Sequence, residues 1–568
     1  MNNYASAVIS SYYNRYFQRR GVVATYEHLT VAQGIVKVMK QEKIDYVFSV
    51  PGESYLPLLD ALYDTEKIEL ISARHEGGAA FMAEGYGKAS GKPGVVMATR
   101  GVGATNLSIG VHTAFQDSTP MVIFLGQVRS DFRGREGFQE VDFEHFFAPI
   151  TKWAVEITDP TRTPELIQKA FYIARSGRPG PVVVSLPEDI LPVQVDMRFS
   201  PYVPRAKPAP GREEVTRIEA LLEKARKPLI IAGGGVKMAN AEKELLLLAE
   251  KYSFPVMAAF RRHDVFPNNH PLYVGHLGMG LDEEIINTVE EADVLIAIGT
   301  KLSEVTTQDY SLIEPEQKLI HIDISEETLH KTYAPTCGIV ADAKEAIRSM
   351  QKIKLKPQWE KWVKERRQAF ENISALPEDM QINDYIIATL QKRLPGDAIV
   401  TNDAGNFATW LHGYFLFRKA KTYIGPTSGS MGYALPAAIG AKVVQADKPV
   451  IALAGDGGFM MTVQELETAV RYDIPVICIV FNNKMYGTIR MHQEIHYPER
   501  VIGTDLGEVS FTRLAESIGA TGYFVQTKEE FELALSKALD SKYISVIEVL
   551  TSKETISKDK TITQIREI

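Results

Sequence analysis

The chain alternates between short apolar runs and longer stretches in which apolar residues recur every three or four positions. The stretch Pro449–Asn483 shows this pattern most clearly. Within it, Val450–Ala454 and Ile474–Phe481 are continuous apolar runs, and Thr462–Arg471 carries apolar residues at helical spacing. Two unbroken apolar runs joined by a helix are typical of a parallel sheet that is buried on both faces. This stretch is therefore predicted to form a strand, a turn, a helix and a second strand.

The same alternation of strands and helices runs through the rest of the chain. Further strands are predicted at Tyr46–Val50, Ile68–Ser72, Val95–Ala98, Met121–Leu125, Pro228–Ala232, Val256–Ala258, Val294–Ile298, Leu319–Ile324 and Ala398–Asn402. Helices are predicted at Leu29–Lys40, Gly77–Lys88, Ala241–Tyr252 and Trp359–Phe370. This order predicts an α/β protein made of doubly wound domains with parallel sheets.

Changes in composition suggest the domain boundaries. The predicted segments are a disordered N-terminal tail (1–26), a first α/β domain (27–192), a proline-rich linker (193–212), a central α/β domain (213–352), a helical connector (353–380), a third α/β domain (381–550) and a charged C-terminal tail (551–568). The first segment has no acidic residue and several arginines, as transit peptides do, but a disordered tail is the preferred interpretation. The last segment fits either a solvated tail or a flap over an active site.

Charge and cysteine content exclude several classes of protein. The 568 residues include 63 Lys and Arg against 71 Asp and Glu, which gives a net charge of −8, so a nucleic-acid partner is not expected. No apolar run is long enough to span a bilayer. The two cysteines, Cys337 and Cys478, lie far apart and favour a reducing compartment, and a cytoplasmic location is expected.

Polar residues follow both strands of the 449–483 stretch. Asp456 comes directly after the first strand and Asn483 after the second. Because ligands of parallel sheets gather at the carboxyl ends of the strands, these two side chains are expected to converge. Carboxylate and amide oxygens suit Mg²⁺ that also holds a phosphate group, and the flanking glycines let the backbone approach a diphosphate. Either residue alone would be an ordinary turn.

This stretch resembles a known motif. Gly455-Asp456-Gly457 running to Asn482-Asn483 is similar to the metal–diphosphate motif of thiamine diphosphate (ThDP) enzymes. From about Thr30 to Leu550 the chain resembles the large catalytic subunit of acetolactate synthase. The resemblance implies three ThDP-enzyme domains. The first binds the pyrimidine, the second is the central domain, and the third binds the diphosphate. It also implies that the side chains of Asp456 and Asn483 and the carbonyl of Met485 hold Mg²⁺.

The resemblance extends to a catalytic glutamate. The run from Arg74 to Ala80 is similar to the family motif that contains this residue, which implies Glu76. A carboxylic acid bonded to the pyrimidine N1′ of the cofactor favours the tautomer whose 4′-imino group removes the C2 proton. Without the resemblance, Glu76 would be read as a carboxylate favoured by a helix N-terminus.

Other cofactor contacts are implied residue by residue. The Gly429 carbonyl would accept from the 4′-amino group, and Met431 would bend the cofactor, although a methionine here is ordinarily core packing. The remaining implied contacts are Pro51, Gly52, Gly405, Asn406, Gly455, Gly457, Gly458, Tyr486 and Gly487.

Substrate positions are implied by the same resemblance. Phe138 and Gln139 correspond to a pair beside the substrate, as an apolar wall and a hydrogen-bond donor. Glu53, Glu188 and His492 fall at positions expected to set specificity. The family's lysine is Glu188 here, its tryptophan is His492, and its arginine is Val305. Two cationic groups are thus missing, which would weaken recognition of an anionic acceptor.

The central domain resembles a flavin-binding domain. The resemblance implies FAD at Gly233-Gly234-Gly235, Asp323 and Asp342, with a largely structural role. The family's Phe-Asp-Asp-Arg run, however, reads Leu302-Ser303-Glu304-Val305 here. A nicotinamide site is the alternative for the glycine triplet, but the GxGxxG spacing is absent.

The implied function is carboligation. Pyruvate would lose carbon dioxide, and the remaining two-carbon unit would add to a second 2-oxo acid to give 2-acetolactate. The active site would lie between two subunits of a homodimer or homotetramer, with Glu76 from one and Asp456 and Asn483 from the other. The resemblance does not specify a regulatory subunit. The alternatives are a decarboxylase or an acyloin or diketone lyase of the same family, and, in another class, a nicotinamide-dependent dehydrogenase or a non-catalytic nucleotide-binding subunit.

Overall fold

A computed structural model describes residues 24–567 of the chain. The predicted N-terminal tail lies, up to residue 23, outside this range. The chain divides into two compact units. Unit 1 holds the described residues up to Ala206 together with Ile439–Val444 and Glu467–Tyr472, and unit 2 holds the remainder. Each unit is described separately.

Unit 1 contains eight strands and six α-helices of its own within its described residues. The strands are β1 (Thr25–Thr30), β2 (Tyr46–Ser49), β3 (Glu69–Ser72), β4 (Gly94–Thr99), β5 (Met121–Gln127), β6 (Trp153–Glu156), β7 (Pro181–Pro187) and β8 (Gln194–Phe199). The helices are α1 (Val31–Gln41), α2 (Leu56–Tyr63), α3 (Glu76–Ser90), α4 (Arg100–Asp117), α5 (Phe143–Phe147) and α6 (Thr163–Arg175). Six strands form one sheet in the order β3-β2-β4-β5-β7-β6, and every neighbouring pair in it is parallel.

The two remaining strands of unit 1 differ from the predicted boundaries. β1 begins inside the predicted tail, β8 lies inside the predicted linker at 193–212, and the two pair antiparallel along their whole length. Met197 and Phe199 of β8 are buried, and Gly34 of α1 leaves room for the Met197 side chain. The prolines of the linker therefore begin to dominate only after Phe199.

Unit 2 contains two further sheets. The central sheet has β9 (Pro228–Ala232), β10 (Val256–Ala258), β11 (Tyr273–His276), β12 (Val294–Ile298), β13 (Lys318–Asp323) and β14 (Cys337–Val340). The third sheet has β15 (Ile399–Asn402), β16 (Tyr423–Ile424), β17 (Val450–Gly455), β18 (Ile477–Asn482), β19 (Thr521–Val525) and β20 (Ser545–Leu550). All pairs in both are parallel.

The remaining helices complete the three layered regions. They are α7 (Arg212–Leu222), α8 (Gly234–Met238), α9 (Glu242–Tyr252), α10 (Glu283–Glu290), α11 (Ala343–Met350), α12 (Glu360–Ile373), α13 (Ile382–Arg393), α14 (Ala408–Tyr414), α15 (Ala434–Val444), α16 (Asp456–Phe459), α17 (Glu465–Arg471), α18 (Gly487–His496), α19 (Phe511–Ile518), α20 (Lys528–Asp540) and α21 (Ile562–Arg566). Among residues 24–567, none of the helices is long and apolar enough to cross a membrane.

The first and third sheets have the same strand order. Numbered from its own first strand, each follows the order 2-1-3-4-6-5. The central sheet, β11-β10-β9-β12-β13-β14, follows the order 3-2-1-4-5-6, which is found in dinucleotide-binding folds. The prediction of three doubly wound α/β domains is confirmed. Each sheet has a switch point where ligands are expected, between β2 and β4, between β9 and β12, and between β15 and β17.

The C-terminal segment is packed rather than solvated. Ile556, Ile562 and Ile565 are buried with Met485 in one apolar cluster. Arg566 of α21 donates from Nε and Nη2 to the fully buried carboxylate of Glu494 on α18, with both distances 2.8 Å. The prediction of a charged tail missed this packing because the three isoleucines are separated by polar residues and form no apolar run.

Candidate active site

The carboxyl edge of the third sheet brings the predicted metal ligands together. Asp456 follows β17 and Asn483 follows β18, and these strands are neighbours. Asp456 Oδ2 accepts a hydrogen bond from the Lys484 backbone N–H (2.7 Å), and Asn483 Oδ1 accepts one from Met485 N–H (3.3 Å). One carboxylate and one amide oxygen thus lie at a common edge, and both are ligand types suited to Mg²⁺.

The electrostatics of Asp456 favour a bound cation. Burial raises the pKa of Asp456 to about 6, although hydrogen bonds from backbone N–H groups, including that of Gly457, oppose the increase. A buried carboxylate whose ionised form is disfavoured gains most from a neighbouring cation. The chemistry and placement of these residues therefore fit a magnesium ion.

Asp403 organises the loop that precedes α15. Its carboxylate accepts from Gly432 N–H (3.0 Å) and Ala434 N–H (2.5 Å), and burial raises its pKa to about 7. Gly458 lies against Asp403, with no room for a β-carbon. The predicted contacts Gly429, with φ 69°, and the half-buried Met431 lie on the loop that these bonds hold. Sequence reasoning did not assign this anchoring role to Asp403.

Other predicted cofactor contacts also lie at the carboxyl edge of the third sheet. Asn406 Oδ1 accepts from the Thr488 hydroxyl (2.8 Å), which ties the segment after β15 to α18. Gly405 precedes it with φ 154°. Gly455 ends β17, and Gly457 packs on the ring of Tyr486, where a β-carbon would lie 2.5 Å from Cε1. Gly487 begins α18.

Glu76 begins α3 at the carboxyl edge of the sheet in unit 1. It is buried, and its Oε2 accepts a hydrogen bond of 2.9 Å from Asn106 Nδ2 on α4. Its Oε1 faces Gly103, where a β-carbon would approach to 3.1 Å. The preceding residue, His75, caps the helix by accepting from Gly77 N–H. One oxygen of Glu76 is thus held by the protein, and the other lies beside a glycine.

Three of the predicted substrate residues converge on an arginine that sequence reasoning did not single out. Arg100, the first residue of α4, lies 2.8 Å from Glu188 Oε2 and 3.2 Å from Glu53 Oε1. Its guanidinium carbon lies 6.0 Å from the ring centre of Phe138. The fourth predicted residue, Gln139, accepts from Gly101 N–H through its carbonyl.

Two more predicted contacts occupy the same edge of unit 1. Gly52, preceded by the exposed Pro51, lies directly against Thr99 with no room for a β-carbon.

The third predicted specificity residue, His492, lies exposed on α18 of unit 2. Its ring is parallel to that of His496, and the two ring centres are 6.2 Å apart.

The predicted flavin residues lie at the carboxyl edge of the central sheet, with the glycine triplet at its switch point and the two aspartates at β13 and β14. The triplet Gly233–Gly235 follows β9 and packs directly on Gly299, which follows β12. Asp323 and Asp342 are buried and accept from the backbone N–H groups of Ser325 and Lys344. Val305, at the family's arginine position, begins a short 3₁₀ turn.

Arg261 is a buried arginine that reaches the segment after β15. It follows β10 with φ 53°, is 5% exposed, and donates from Nη2 towards the Asp403 carbonyl at 3.5 Å. Its Nε and Nη1 have no partner among the described residues. Buried donors without partners are rare in proteins, so a ligand with acceptor oxygens fits here.

Comparison with known families agrees with this geometry. Three profiles of thiamine pyrophosphate enzymes match the chain, with the N-terminal TPP binding domain at residues 29–146, the central domain at 215–350 and the C-terminal TPP binding domain at 403–549. The first and last contain Glu76 and Asp456 respectively.

Individual relatives match nearly the whole chain. A probable acetolactate synthase large subunit of Methanocaldococcus jannaschii is 35% identical over 91% of this chain and 91% of its own. The acetolactate synthase large subunit of Corynebacterium glutamicum is 35% identical over 91% and 86%. The large subunit of acetolactate synthase isozyme 3 of Escherichia coli is 33% identical over 90% and 93%.

Proposed function

The chain belongs to the acetolactate synthase large-subunit family of thiamine pyrophosphate enzymes, and from this premise we propose that it decarboxylates pyruvate and joins the two-carbon unit to a second 2-oxo acid. The product would be 2-acetolactate. The observation that carries the proposal is the edge of the third sheet, where Asp456 and Asn483 lie beside the loop that Asp403 anchors. When bound there, thiamine diphosphate supplies the nucleophilic carbon and the electron-accepting ring that decarboxylation needs.

The roles proposed at the third sheet rest on the resemblance to the family and are supported by the geometry of the sheet edge. Asp456, Asn483 and the Met485 carbonyl would hold Mg²⁺, and Mg²⁺ would hold the diphosphate. Gly455, Gly457 and Gly458 keep side chains out of the space beside the strand end. The Asp403 hydrogen bonds fix the loop that carries Gly429 and Met431, so these two residues meet the cofactor in a pre-set geometry.

Glu76 would hold a proton at one defined oxygen. Asn106 donates to Oε2, and an amide N–H bonds best to an oxygen that carries no proton. The proton of the neutral acid would therefore sit on Oε1, which faces Gly103. From there it can be shared with a ring nitrogen, which is the role proposed for this glutamate.

The proposed assembly is a homodimer or a homotetramer. Each active site would contain Glu76 from one subunit and Asp456 and Asn483 from another. This arrangement is proposed on the resemblance to the family. The two cysteines, Cys337 and Cys478, are both free and buried, which supports a reducing compartment, and the proposed location is the cytoplasm.

FAD is proposed as a second cofactor, at the switch point of the central sheet. Its support is the dinucleotide-type strand order and the glycine triplet after β9, which packs directly on Gly299. Purified protein that lacks flavin absorbance, even after incubation with FAD, would remove this proposal.

A second candidate function is supported by one observation. Glu188 stands where the family has a lysine, and it is paired with Arg100. A decarboxylase, or a lyase that forms or cleaves acyloins and diketones, would not need a free cation at that position.

The test is product identification. The protein, reconstituted with thiamine diphosphate and Mg²⁺, is supplied with pyruvate, and acetolactate and acetaldehyde are both measured. Acetolactate as the main product is expected. Acetaldehyde alone would favour the second candidate. No carbon dioxide release from any 2-oxo acid, together with no cleavage or formation of acyloins or diketones, would contradict both.

A further inference from the structure

Arg100 lies in the switch-point crevice of the unit 1 sheet. β2 and β4 are neighbours there, and the chain leaves them in the segments that contain Glu53 and Arg100. Open parallel sheets bind ligands at this kind of crevice. Glu188, which directly follows β7, reaches the same guanidinium, so three strand ends contribute to one charged cluster.

The backbone around Arg100 is strained. Arg100 has φ 36° and Gln139 has φ 65°, although neither is a glycine. The two are linked by a hydrogen bond of 2.9 Å from Gly101 N–H to the Gln139 carbonyl. A β-carbon on Gly101 would lie 2.7 Å from Val141 and 2.9 Å from that carbonyl, so the two segments pack too closely to admit a side chain at Gly101. Strain of this kind is concentrated at functional sites.

The guanidinium of Arg100 is buried but incompletely bonded. Arg100 is 9% exposed, and its Nε has no partner among the described residues. Nη2 donates to Glu188, and Nη1 lies 3.2 Å from Glu53. The buried Nε has no acceptor in the described part of the chain and the contact at Nη1 is to a solvated carboxylate, so this guanidinium lacks firm partners on two of its nitrogens, which suits a ligand that supplies carboxylate oxygens.

The two carboxylates that face Arg100 differ in how firmly they hold it. The side chain of Glu188 is 28% exposed and its oxygen is 2.8 Å from Nη2. The side chain of Glu53 is 71% exposed and its oxygen is 3.2 Å from Nη1. Solvated ion pairs contribute little, so Glu53 is easily displaced, whereas Glu188 positions the guanidinium.

We propose that Arg100 is the residue that binds the carboxylate of the acceptor 2-oxo acid, in exchange for Glu53 at Nη1. This inference rests on the proposed carboligase function. It also explains why position 188 carries a glutamate. In this chain Arg100, at the end of β4, supplies the cation that binds the substrate, and the Glu188 carboxylate holds that cation in place. The ring of Phe138, 6.0 Å from the guanidinium, covers one side of the binding position.

The main experiment is a competition between two acceptors. Reconstituted holoenzyme receives pyruvate as donor together with acetaldehyde, and the ratio of acetolactate to acetoin is measured. Arg100→Gln should lower this ratio about tenfold, because one charge-assisted hydrogen bond is lost, while acetoin formation continues. Arg100→Lys should restore part of the ratio. An unchanged ratio in folded Arg100→Gln would overturn the proposal.

Glu53→Gln gives an independent test in the opposite direction. It removes the competing carboxylate from an exposed position, so folding should be preserved and the acetolactate-to-acetoin ratio should rise a few-fold, through a lower KM for the acceptor and not a higher kcat. Glu188→Gln should raise that KM, because the guanidinium loses its fixed partner. A fall in the ratio for Glu53→Gln would contradict the exchange.

Two controls match these changes. Arg162→Gln removes an exposed arginine that is paired with Glu165, and Glu66→Gln removes an exposed carboxylate from unit 1, and neither should alter the ratio. Binding of lactate, an unreactive 2-hydroxy acid, is measured by calorimetry and should be lost in Arg100→Gln.

The binding measurement tests the role of Arg100 separately from the proposed carboligation. Arg100-dependent lactate binding in a wild type that makes no acetolactate would retain Arg100 as a carboxylate receptor and remove the proposed carboligation. Acetolactate formation with lactate binding that is unaffected in Arg100→Gln would retain the carboligase and overturn the role of Arg100.

Discussion

At the residue scale, the two oxygens of Glu76 have separate roles. We expect Glu76→Gln to leave folding and thiamine diphosphate binding nearly intact, since an amide fills the same buried space and its oxygen can still accept from Asn106. A glutamine cannot give up a proton to the cofactor, so exchange of the cofactor C2 proton should slow by orders of magnitude. Deuterium exchange followed by NMR measures this.

The control for this variant is Glu66→Gln, an exposed carboxylate of the same unit, which should exchange at the wild-type rate. C2 exchange at that rate in Glu76→Gln as well would remove Glu76 from the proposed mechanism.

A second prediction at this scale concerns the contact between Gly458 and Asp403. Gly458→Ala would drive a methyl group into the carboxylate that holds Gly432 and Ala434. Overpacking of this kind costs about 1–3 kcal/mol, so the melting temperature should fall and the Kd for thiamine diphosphate with Mg²⁺ should rise.

Gly507→Ala is the matched control, because a β-carbon there meets nothing within 4 Å, and it should leave both quantities unchanged. Unchanged cofactor affinity in Gly458→Ala would show that the Asp403 anchor does not shape the cofactor site.

The convergence of individual side chains could be predicted from the sequence only where those side chains lie in one short stretch. Asp456 and Asn483 follow two consecutive strands of one predicted unit, so their convergence could be inferred. Arg100 could not be inferred, because its partner Glu188 is 88 residues away and Glu53 comes from another strand end. Only the sheet order brings these side chains together.

At the element scale, apolar runs located most of the strands that were predicted to within a residue or two, but strand ends depend on tertiary contacts. The helix predicted from Thr462 begins at Glu465, because the Thr462 hydroxyl donates instead to the Gly432 carbonyl. The strand predicted from Ile474 begins at Ile477, the first residue paired with a neighbouring strand. Neither contact has a local signal in the sequence.

The C-terminal helix α21 gives a pH-dependent prediction at this scale. Hydrogen bonds from Arg566, in first place, lower the pKa of Glu494 to about 2. A carboxylate with a lowered pKa stabilises the folded form above its unfolded value of about 4.5, and this stabilisation is lost as the pH falls towards 2. The α21 segment should therefore detach between about pH 4.5 and pH 2.

Hydrogen exchange of the backbone amides in Ile562–Arg566, measured against pH, follows this detachment. Arg566→Gln should shift it to higher pH, because Glu494 loses its main partner. Glu499→Gln is the control, since Glu499 is exposed and lies 3.8 Å from Arg566, and it should change little. Protection that is independent of pH down to 2 would contradict the assignment.

At the scale of the whole molecule, the first and third sheets share one strand order, and each places a candidate catalytic group at its carboxyl edge. Glu76 belongs to the first sheet and Asp456 to the third. Two domains that would each hold half of the proposed chemistry suit the proposed site that a second copy of the chain completes, since a two-fold axis then generates two equal sites.

Subunit mixing tests this arrangement. Glu76→Gln and Asp456→Asn are each expected to be nearly inactive alone. If each site takes Glu76 from one subunit and Asp456 from its partner, a mixed dimer has one doubly altered site and one intact site. Random mixing makes half of the dimers mixed, so about a quarter of the wild-type activity should return. If both residues of a site came from one chain, every site would carry one change, and mixing at any ratio would restore no activity.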